Sequence, residues 1–194
     1  MAIDVLLLKP GDRVLHIGSG TGYYTALIAQ CVGPSGRVVA VEVDDDLAAR
    51  SRANLAPMPW VEVRHGDGHD APGGPFDAIL VNAGVTHPLP TWMDALSAGG
   101  RMILPLTVAM MPTIGKGLLL LLTDSGDPQT LDVRTITFVA IYSALGLRDP
   151  GLNDLIGQAL KENPFPPLKR LRRAPHERTA SCWLHGLTSC LSVE

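Results

Sequence analysis

The sequence predicts an α/β fold: a doubly wound, mostly parallel sheet of about seven strands, with antiparallel additions at its C-terminal end. Two observations support this prediction. Up to Leu106, β-branched apolar runs alternate with segments of helical spacing, and a glycine-rich turn joins the first strand to the first helix. From Gly117 onwards, the chain instead shows strands separated by turns and a single helical stretch.

The N-terminal elements surround the glycine-rich turn. The apolar run Ala2 to Leu8 is typical of the last turns of a helix, which a Pro-Gly turn then ends. Val14, Leu15 and Ile17 predict a short buried strand, and Tyr23 to Val32 predicts the first helix. Glycines between this strand and this helix let backbone amides approach a ligand closely, at the positive end of the helix dipole.

The remaining elements follow in the order that a doubly wound sheet requires. Further strands are predicted at Arg37 to Val43, Trp60 to Arg64, Phe76 to Val81 and Arg101 to Leu106. Helices are predicted at about Leu47 to Leu55, behind the capping acids Asp44 to Asp46, and at Leu89 to Ser97. The C-terminal part is predicted to hold the strands Leu118 to Thr123, Thr135 to Tyr142 and Ser181 to Leu191, and the helix Asn153 to Lys161. The order is Rossmann-like, and right-handed crossovers then bring the turns at the carboxyl ends of the parallel strands together.

Length and composition indicate the class of protein. A chain of 194 residues fits a single domain, and a content of 46% hydrophobic and 18% charged residues indicates a globular protein. The net charge of -3 gives no reason to expect a nucleic acid or an acidic membrane as partner, and no apolar run is long enough to span a bilayer. The basic stretch 169–178 is expected to be a solvated connector, with a docking surface for an acidic partner as the alternative.

Cysteine usage favours a reduced, cytoplasmic compartment. The three cysteines, Cys31, Cys182 and Cys190, form neither a C-x-x-C pair nor an even framework. Cys182 and Cys190 could approach each other across a hairpin, but we expect packed thiols and no metal site. His176 and His185 are expected at the surface.

The glycine-rich turn has the spacing G-x-G-x-G, formed by Gly18, Gly20 and Gly22. The dinucleotide fingerprint G-x-G-x-x-G would require a third glycine where Tyr23 stands. The turn therefore belongs to the nucleotide-binding class but departs from its dinucleotide version.

Two acidic residues stand at the carboxyl ends of the next two predicted strands. Glu42 ends the second strand, where a carboxylate can accept hydrogen bonds from both hydroxyls of a ribose. Asp67 lies between Gly66 and Gly68 at the end of the third strand, where it could meet an adenine amino group, although Gly-Asp-Gly is also good turn chemistry. With the glycines of the first turn, these residues predict a site for an adenosine-containing ligand.

Longer motifs resemble a known family. VLHIGSGTGYYTALIAQCVGPSGRVVAVEVD, HGDG, PFDAILVNAG and GGRMILPL are similar to class I S-adenosylmethionine-dependent methyltransferases, and most to the protein-L-isoaspartate O-methyltransferase family. The resemblance covers roughly residues 8–106, and TFVAIYSALGLRD is a weaker match to the later strands. It implies a single methyltransferase domain over 1–194, with a cofactor-binding core at 1–106 and strands and a helix at 107–194 that complete the sheet.

The resemblance also implies roles for individual residues. The three glycines would face the methionine part of S-adenosyl-L-methionine, whose product is S-adenosyl-L-homocysteine, Glu42 would hold its ribose and Asp67 would lie near its adenine. Asn82 and Ala83 would flank the methyl-transfer centre. The full set of expected cofactor contacts is His16, Gly18, Ser19, Gly20, Gly22, Tyr23, Glu42, Val43, Gly66, Asp67, Gly68, Asn82 and Ala83.

The chain departs from the family pattern at two places. An acidic residue usually stands at the position of His16, so His16 either contacts the cofactor or is a tolerated residue of the strand. The family also has a substrate-binding serine segment upstream of the helix in which Met1 lies, and no residue of this chain matches it. Thr86 and His87, which follow the fourth strand, could orient the acceptor carboxylate or begin the next helix.

The expected reaction is methyl transfer to a carboxylate of a protein or peptide, without a general base or a metal. Two alternatives keep the cofactor: binding without isoaspartyl activity, and methylation of another peptide or a small acid. A nicotinamide-dependent reductase, which VNAG at 81–84 would suggest, is disfavoured because it requires a Tyr-x-x-x-Lys pair, and Gly146 stands four places after Tyr142.

Overall fold

The computed structural model describes residues 2–70, 73–111, 113–186 and 189–194. It divides into two compact units, here named unit one (Met1–Ala83 and Leu89–Met102) and unit two (Gly84–Pro88 and Ile103–Glu194). No helix in the described ranges is long and apolar enough to cross a membrane.

Unit one contains the parallel strands. Its elements are β1 (Arg13–Ile17), α1 (Tyr23–Val32), β2 (Arg37–Glu42), α2 (Asp45–Leu55), β3 (Val61–His65), β4 (Phe76–Val81) and α3 (Pro90–Asp94). The strands pair in parallel in the order β3-β2-β1-β4, so the strand order reverses at β1. In open α/β sheets, ligands bind beyond the carboxyl ends of the strands at such a reversal.

Burial explains why these segments form strands and helices. After their exposed first residues, β1 and β2 are buried at every position, as expected for parallel strands that are covered on both faces. Helix α1 buries Thr25, Ile28, Ala29 and Val32, which lie on one face at a spacing of three and four residues. The predicted α/β fold with parallel strands is confirmed.

Unit two contains the antiparallel strands. Its elements are the greater part of β5 (Leu96–Met111), β6 (Ile114–Asp124), β7 (Thr130–Tyr142), α4 (Pro150–Glu162), β8 (Arg170–Arg172), β9 (Cys182–His185) and β10 (Cys190–Ser192). Here the strand order is β5-β6-β7-β8-β10-β9. The pairs β6–β7, β7–β8, β8–β10 and β10–β9 are antiparallel, which confirms the predicted C-terminal additions.

Three elements that lie wholly or partly in unit one differ from the prediction. The first residues form a 3-10 helix, Ala2–Leu6, and not the end of an α-helix. The helix expected at Leu89 to Ser97 is limited to Pro90–Asp94, and β5 already begins at Leu96, where Arg101 was expected. Gly100 lies within β5, and a Cβ there would lie only 2.8 Å from the carbonyl oxygen of Ser97 and 3.1 Å from that of Phe76, so this close approach of backbones favours glycine.

The C-terminal part differs more. The basic stretch 169–178 was expected as a connector, but Arg170–Arg172 is the strand β8, whose central Leu171 is only 1% exposed. Alternation along a strand buries Leu171 while its arginine neighbours face the other way. The strand expected at Ser181 to Leu191 is divided into β9 and β10. The described residues therefore form ten strands, more than the seven or so expected.

Candidate functional site

The glycine-rich turn follows β1 in unit one, and its glycines meet different requirements. All three have positive φ angles, 78° at Gly18, 56° at Gly20 and 91° at Gly22. A Cβ on Gly18 would lie 3.2 Å from the carbonyl oxygen of Asn82, and one on Gly22 would lie 2.9 Å from a methyl carbon of Leu55. A Cβ on Gly20 would have nothing within 4 Å. Gly18 and Gly22 therefore permit close packing, whereas Gly20 borders open space.

The Glu42 carboxylate holds this turn in place. One oxygen accepts a hydrogen bond from the Gly20 N–H at 2.6 Å. The other accepts from the N–H groups of Val43 at 3.0 Å and Asp44 at 3.1 Å. Glu42 is only 7% exposed, and a carboxylate has about four acceptor positions, so at least one remains for a further donor.

The neighbouring turn after β3 is tied to the same region. The N–H of Gly66 donates to the backbone carbonyl of Glu42 at 2.9 Å. A Cβ on Gly68, whose φ is 74°, would lie 2.7 Å from Cγ2 of Ile17, so only glycine lets this turn approach the end of β1 so closely. The indole N–H of the buried Trp92 donates to the Gly68 carbonyl at 2.8 Å, and this hydrogen bond fixes the position of the turn.

Asp67 stands exposed on this turn. Its Oδ1 accepts a hydrogen bond from the backbone N–H of His69 at 2.9 Å, which is ordinary turn chemistry. One carboxylate oxygen thus supports the local turn, and the other is available to a ligand or to water.

Asn82 and Ala83 follow β4 and lie against the glycine turn. The Asn82 N–H donates to the Ile17 carbonyl at 2.8 Å, and its side-chain Nδ2 donates to the Gly18 carbonyl at 3.2 Å. Both hydrogen bonds tie the end of β4 to the end of β1. The structure therefore brings Asn82 to the same place as the glycines, where it positions the turn.

Three buried polar atoms near the turn have no partner among the described residues. They are Nε2 of His16, Oγ of Ser19 and Oγ of Ser51, which would lie 2.9 Å from a Cβ on Gly22. Nδ1 of His16 hydrogen-bonds Oγ1 of Thr25 at 2.8 Å, and burial lowers the pKa of His16 to about 3. His16 is therefore neutral at neutral pH. Unsatisfied buried polar atoms are rare in folded proteins, so three of them beside one turn call for a ligand or an ordered water there.

Two further expected contacts, Tyr23 and Val43, are apolar groups that face solvent in unit one. Tyr23 is 67% exposed and Val43 is 39% exposed. They directly follow Gly22 and Glu42 in the chain, so both offer apolar surface next to the polar part of the turn.

Thr86 and His87 belong to unit two and do not begin a helix, since α3 starts at Pro90. Thr86 is fully buried, and its hydroxyl accepts from the Asp149 N–H at 2.9 Å and hydrogen-bonds His87 Nδ1 at 3.0 Å. Burial lowers the pKa of His87, and the charge of Asp149 opposes this shift. His87 and Asp149 line a cleft of about 550 Å³ within unit two.

Arg148 is a positioning residue that sequence reasoning missed. Its guanidinium donates to the carbonyl of Gly84 at 2.7 Å, to the Thr107 hydroxyl at 2.9 Å and carbonyl at 2.7 Å, and to Oδ1 of Asn153 at 2.8 Å. These contacts fix the segment that carries Thr86 and His87. Most of its partners are backbone or side-chain oxygens far away in the chain, so the only local signal is an arginine directly before the helix-capping Asp149.

Comparisons with known proteins find sequences and structures to which the chain is similar. The sequence profile of the protein-L-isoaspartate(D-aspartate) O-methyltransferase family matches residues 1–126. The chain is 33% identical over 149 residues to protein-L-isoaspartate O-methyltransferase 2 of Polaromonas sp., covering 75% of this chain and 67% of that protein. It is 38% identical over 107 residues to protein-L-isoaspartate O-methyltransferase of Methanopyrus kandleri, covering 53% of this chain and 47% of that protein. The chain thus spans about half to two thirds of the length of such relatives.

A solved structure shares the fold. It is a Plasmodium falciparum protein assigned as a protein-L-isoaspartate O-methyltransferase, in complex with S-adenosyl-L-homocysteine. The TM-score is 0.61 at 22% identity, with 74% of this chain and 71% of that chain covered.

Proposed function

Because the chain belongs to the protein-L-isoaspartate(D-aspartate) O-methyltransferase family, we propose that it transfers a methyl group from S-adenosyl-L-methionine to a carboxylate of a protein or peptide. The observation that carries the proposal is the carboxylate of Glu42, which is buried and held by three backbone N–H groups beside the open space at Gly20. A rigidly held carboxylate that can accept hydrogen bonds, next to a glycine-lined opening, is suited to bind the ribose hydroxyls of a ligand.

The residues of unit one fit the cofactor. Glu42 has acceptor capacity left for a ribose hydroxyl, and the exposed Val43 beside it offers apolar surface to an adenine ring. Asp67 retains one carboxylate oxygen for the adenine amino group. The partnerless atoms of Ser19 and His16 lie next to the turn that would receive the methionine part. We assign the cofactor to these residues and to the glycines of the two turns.

The chain's own contribution to the reaction is positioning. When bound, S-adenosyl-L-methionine supplies an electrophilic sulfonium methyl group. A carboxylate acceptor is ionised at pH 7, so no side chain of the protein has to remove a proton from it. Asn82 holds the turn through the Gly18 carbonyl, and orientation together with exclusion of water can lower the barrier by up to roughly 7–11 kcal/mol. Thr86 and His87 remain candidates for orienting the acceptor carboxylate.

We extend the proposal to the class of methyl acceptor and to the cellular compartment. The net charge of -3 supports a peptide or protein acceptor over a nucleic acid. The three cysteines are free thiols, which supports a reduced, cytoplasmic compartment.

Transfer of a labelled methyl group tests the proposal. The full chain is incubated with methyl-labelled S-adenosyl-L-methionine and an isoaspartyl peptide, with the same peptide carrying normal aspartate as the control. We expect label on the isoaspartyl peptide alone, released as methanol by mild base because the product is an ester. Cofactor binding without label on either peptide would contradict the isoaspartyl acceptor and would favour another acceptor or a binding-only domain.

A further inference from the structure

Four metal-ligating side chains meet in unit two, far along the chain from the residues described above. They are His176, Cys182, His185 and Cys190, and one potential ligand atom from each lies within 4.8 Å of all the others. Both cysteines are buried free thiols. Ligand atoms around a tetrahedral zinc ion, at about 2.0–2.3 Å from the metal, lie about 3–4 Å apart, so the four side chains are close to the required geometry.

The imidazole of His176 is oriented as a metal ligand would be. Its Nδ1 hydrogen-bonds the backbone carbonyl of Ala174 at 3.0 Å, and its Nε2 lies 3.5 Å from Sγ of Cys182. Histidines that bind metals commonly donate their second ring N–H to a carbonyl or carboxylate, which fixes the tautomer. The Ala174 contact leaves Nε2 as the free ligand nitrogen, directed at the thiol.

The imidazole of His185 carries a buried nitrogen, Nδ1, that has no hydrogen-bond partner among the described residues. Metal coordination is one of the few interactions that can satisfy an imidazole nitrogen in such a place. The ring of His185 also packs edge-on against that of His176, with 4.9 Å between centroids, so the two histidines lie side by side.

An irregular hairpin brings these residues to one side of the sheet. Cys190 on β10 lies directly opposite His185 on β9, so their side chains share a face. On a regular strand, Cys182 and His185 would point to opposite faces, because they are three residues apart. The register shift between Leu191 and Ser192 interrupts this alternation.

We propose that His176, Cys182, His185 and Cys190 bind one zinc ion in a tetrahedral site. Two thiolates and two imidazoles are a ligand set typical of structural zinc, and the thiols would release their protons to solvent on binding. Four protein ligands leave no open position for a substrate, so the ion would join β9, β10 and the segment before β9 to one another. The two histidines also line the cleft that holds His87, and the ion would fix that wall.

Metal analysis of the purified chain tests the proposal. The full chain is prepared under reducing conditions without chelators, and its zinc content is measured by mass spectrometry. We expect one zinc ion per chain in the wild type and in Cys31→Ser, the matched control, whose exposed cysteine lies in unit one. Cys182→Ser and His176→Gln should each lose the tightly bound ion, and removal of zinc from the wild type should lower its melting temperature.

Cobalt substitution keeps the test decisive if a variant fails to fold. Cobalt added to the metal-free, reduced wild type should give the absorption of tetrahedral cobalt together with thiolate-to-cobalt charge transfer, and added zinc should abolish both. The proposal is overturned if folded, reduced wild type takes up neither metal with thiolate ligation, or if Cys182→Ser retains the full zinc content. A Cys182–Cys190 disulfide that persists under these reducing conditions, without bound metal, would overturn it equally.

Discussion

At the scale of single residues, the candidate site is defined by what each backbone position can tolerate. Glu42 satisfies three N–H groups on two segments of chain, so its carboxylate is held before any ligand arrives. Gly18 is required by the nearby Asn82 carbonyl, whereas at Gly20 the space is empty. Two glycines of one motif thus differ in what a methyl group would disturb.

Alanine at Gly20 should separate binding from folding. Gly20→Ala costs about 1–2 kcal/mol of stability for its positive φ, and its methyl group enters the space assigned to the cofactor. We expect the Kd for S-adenosyl-L-homocysteine to rise at least about tenfold in titration calorimetry, which corresponds to about 1.4 kcal/mol. Gly126→Ala is the matched control, since Gly126 also has a positive φ and open space but lies in unit two. Equal affinity in Gly20→Ala and the control would contradict the assignment.

Alanine at Gly18 should instead damage the fold. The added Cβ would lie 3.2 Å from the Asn82 carbonyl at a φ of 78°. We therefore expect a loss in the free energy of unfolding larger than that of Gly20→Ala, by about 1 kcal/mol or more, measured by urea denaturation. A Gly18→Ala protein as stable as Gly20→Ala would show that the contact with Asn82 is readily relieved.

His16 should make stability depend on pH. Its pKa is lowered by burial to about 3 in the folded protein, against an ordinary value of 6.5. Above pH 6.5, His16 is neutral in both the folded and the unfolded chain and does not change the free energy of unfolding. Below pH 6.5, His16 binds a proton in the unfolded chain but not in the folded one, so the free energy of unfolding falls as the pH falls towards 3. We expect the wild type to lose about 2 kcal/mol through this residue between about pH 7.5 and pH 5.

The variant His16→Asn isolates this effect, because asparagine can keep a hydrogen bond to Thr25 but does not titrate. The difference in the free energy of unfolding between His16→Asn and the wild type should shift by about 2 kcal/mol in favour of the variant on acidification. His69→Asn, at an exposed histidine, serves as the control. A difference that stays constant between the two pH values would show that His16 is not buried as the structure has it.

At the scale of elements, the helix after β2 connects folding and binding. Asp44 caps α2 by accepting from the Leu47 N–H at 2.9 Å, and its own N–H donates to Glu42. The Asp44 side chain therefore stabilises the helix, and the Asp44 backbone N–H holds the Glu42 carboxylate of the candidate site.

Removal of the Asp44 side chain should affect only the helix. Asp44→Ala is expected to lower the free energy of unfolding by about 1 kcal/mol, the usual value of an N-cap, measured by urea denaturation. Asp46→Ala, which removes a charge from the first turn but not the cap, should cost less than half of that. Because the donor to Glu42 is a backbone group, affinity for S-adenosyl-L-homocysteine should remain within about twofold. A large loss of affinity in Asp44→Ala would show that the turn depends on the cap.

Most elements of unit one up to β4 could be predicted from the sequence, because each carries its own local pattern. β1 and β2 are mainly apolar runs, α1 has a single buried face, and Asp44 stands where a cap was expected. The elements of unit two depend on distant partners. β8 has only three residues, and it is a strand because β7 and β10 pair with it on its two sides.

The candidate site shows the same division. The sequence alone indicates the turn after β1 by its three glycines and the end of β2 by a single acidic residue. The structure brings these residues, Gly18, Gly20, Gly22 and Glu42, together in unit one. The four-residue cluster of unit two could not be found, because strand alternation places Cys182 and His185 on opposite faces and only the register shift changes this. Arg148 was missed for a similar reason, since its four acceptor atoms come from three separate positions in the chain.

At the scale of the whole molecule, the chain combines a family assignment with a match that spans about half to two thirds of its relatives' length. The family profile reaches residue 126 and so includes all of unit one, where every residue assigned to the cofactor lies. We therefore expect the chain as it stands to bind one cofactor molecule, whatever its acceptor is.

Titration calorimetry of S-adenosyl-L-homocysteine against the full chain tests this central claim most directly. We predict one site per chain, weakened by about 1–3 kcal/mol in Glu42→Gln, because the variant loses the charge and leaves polar partners poorly satisfied. Glu62→Gln is the matched control, since Glu62 is a half-exposed carboxylate on β3 that pairs with Arg37 and Arg64. No binding by the folded wild type, or equal affinity in Glu42→Gln and Glu62→Gln, would contradict the account.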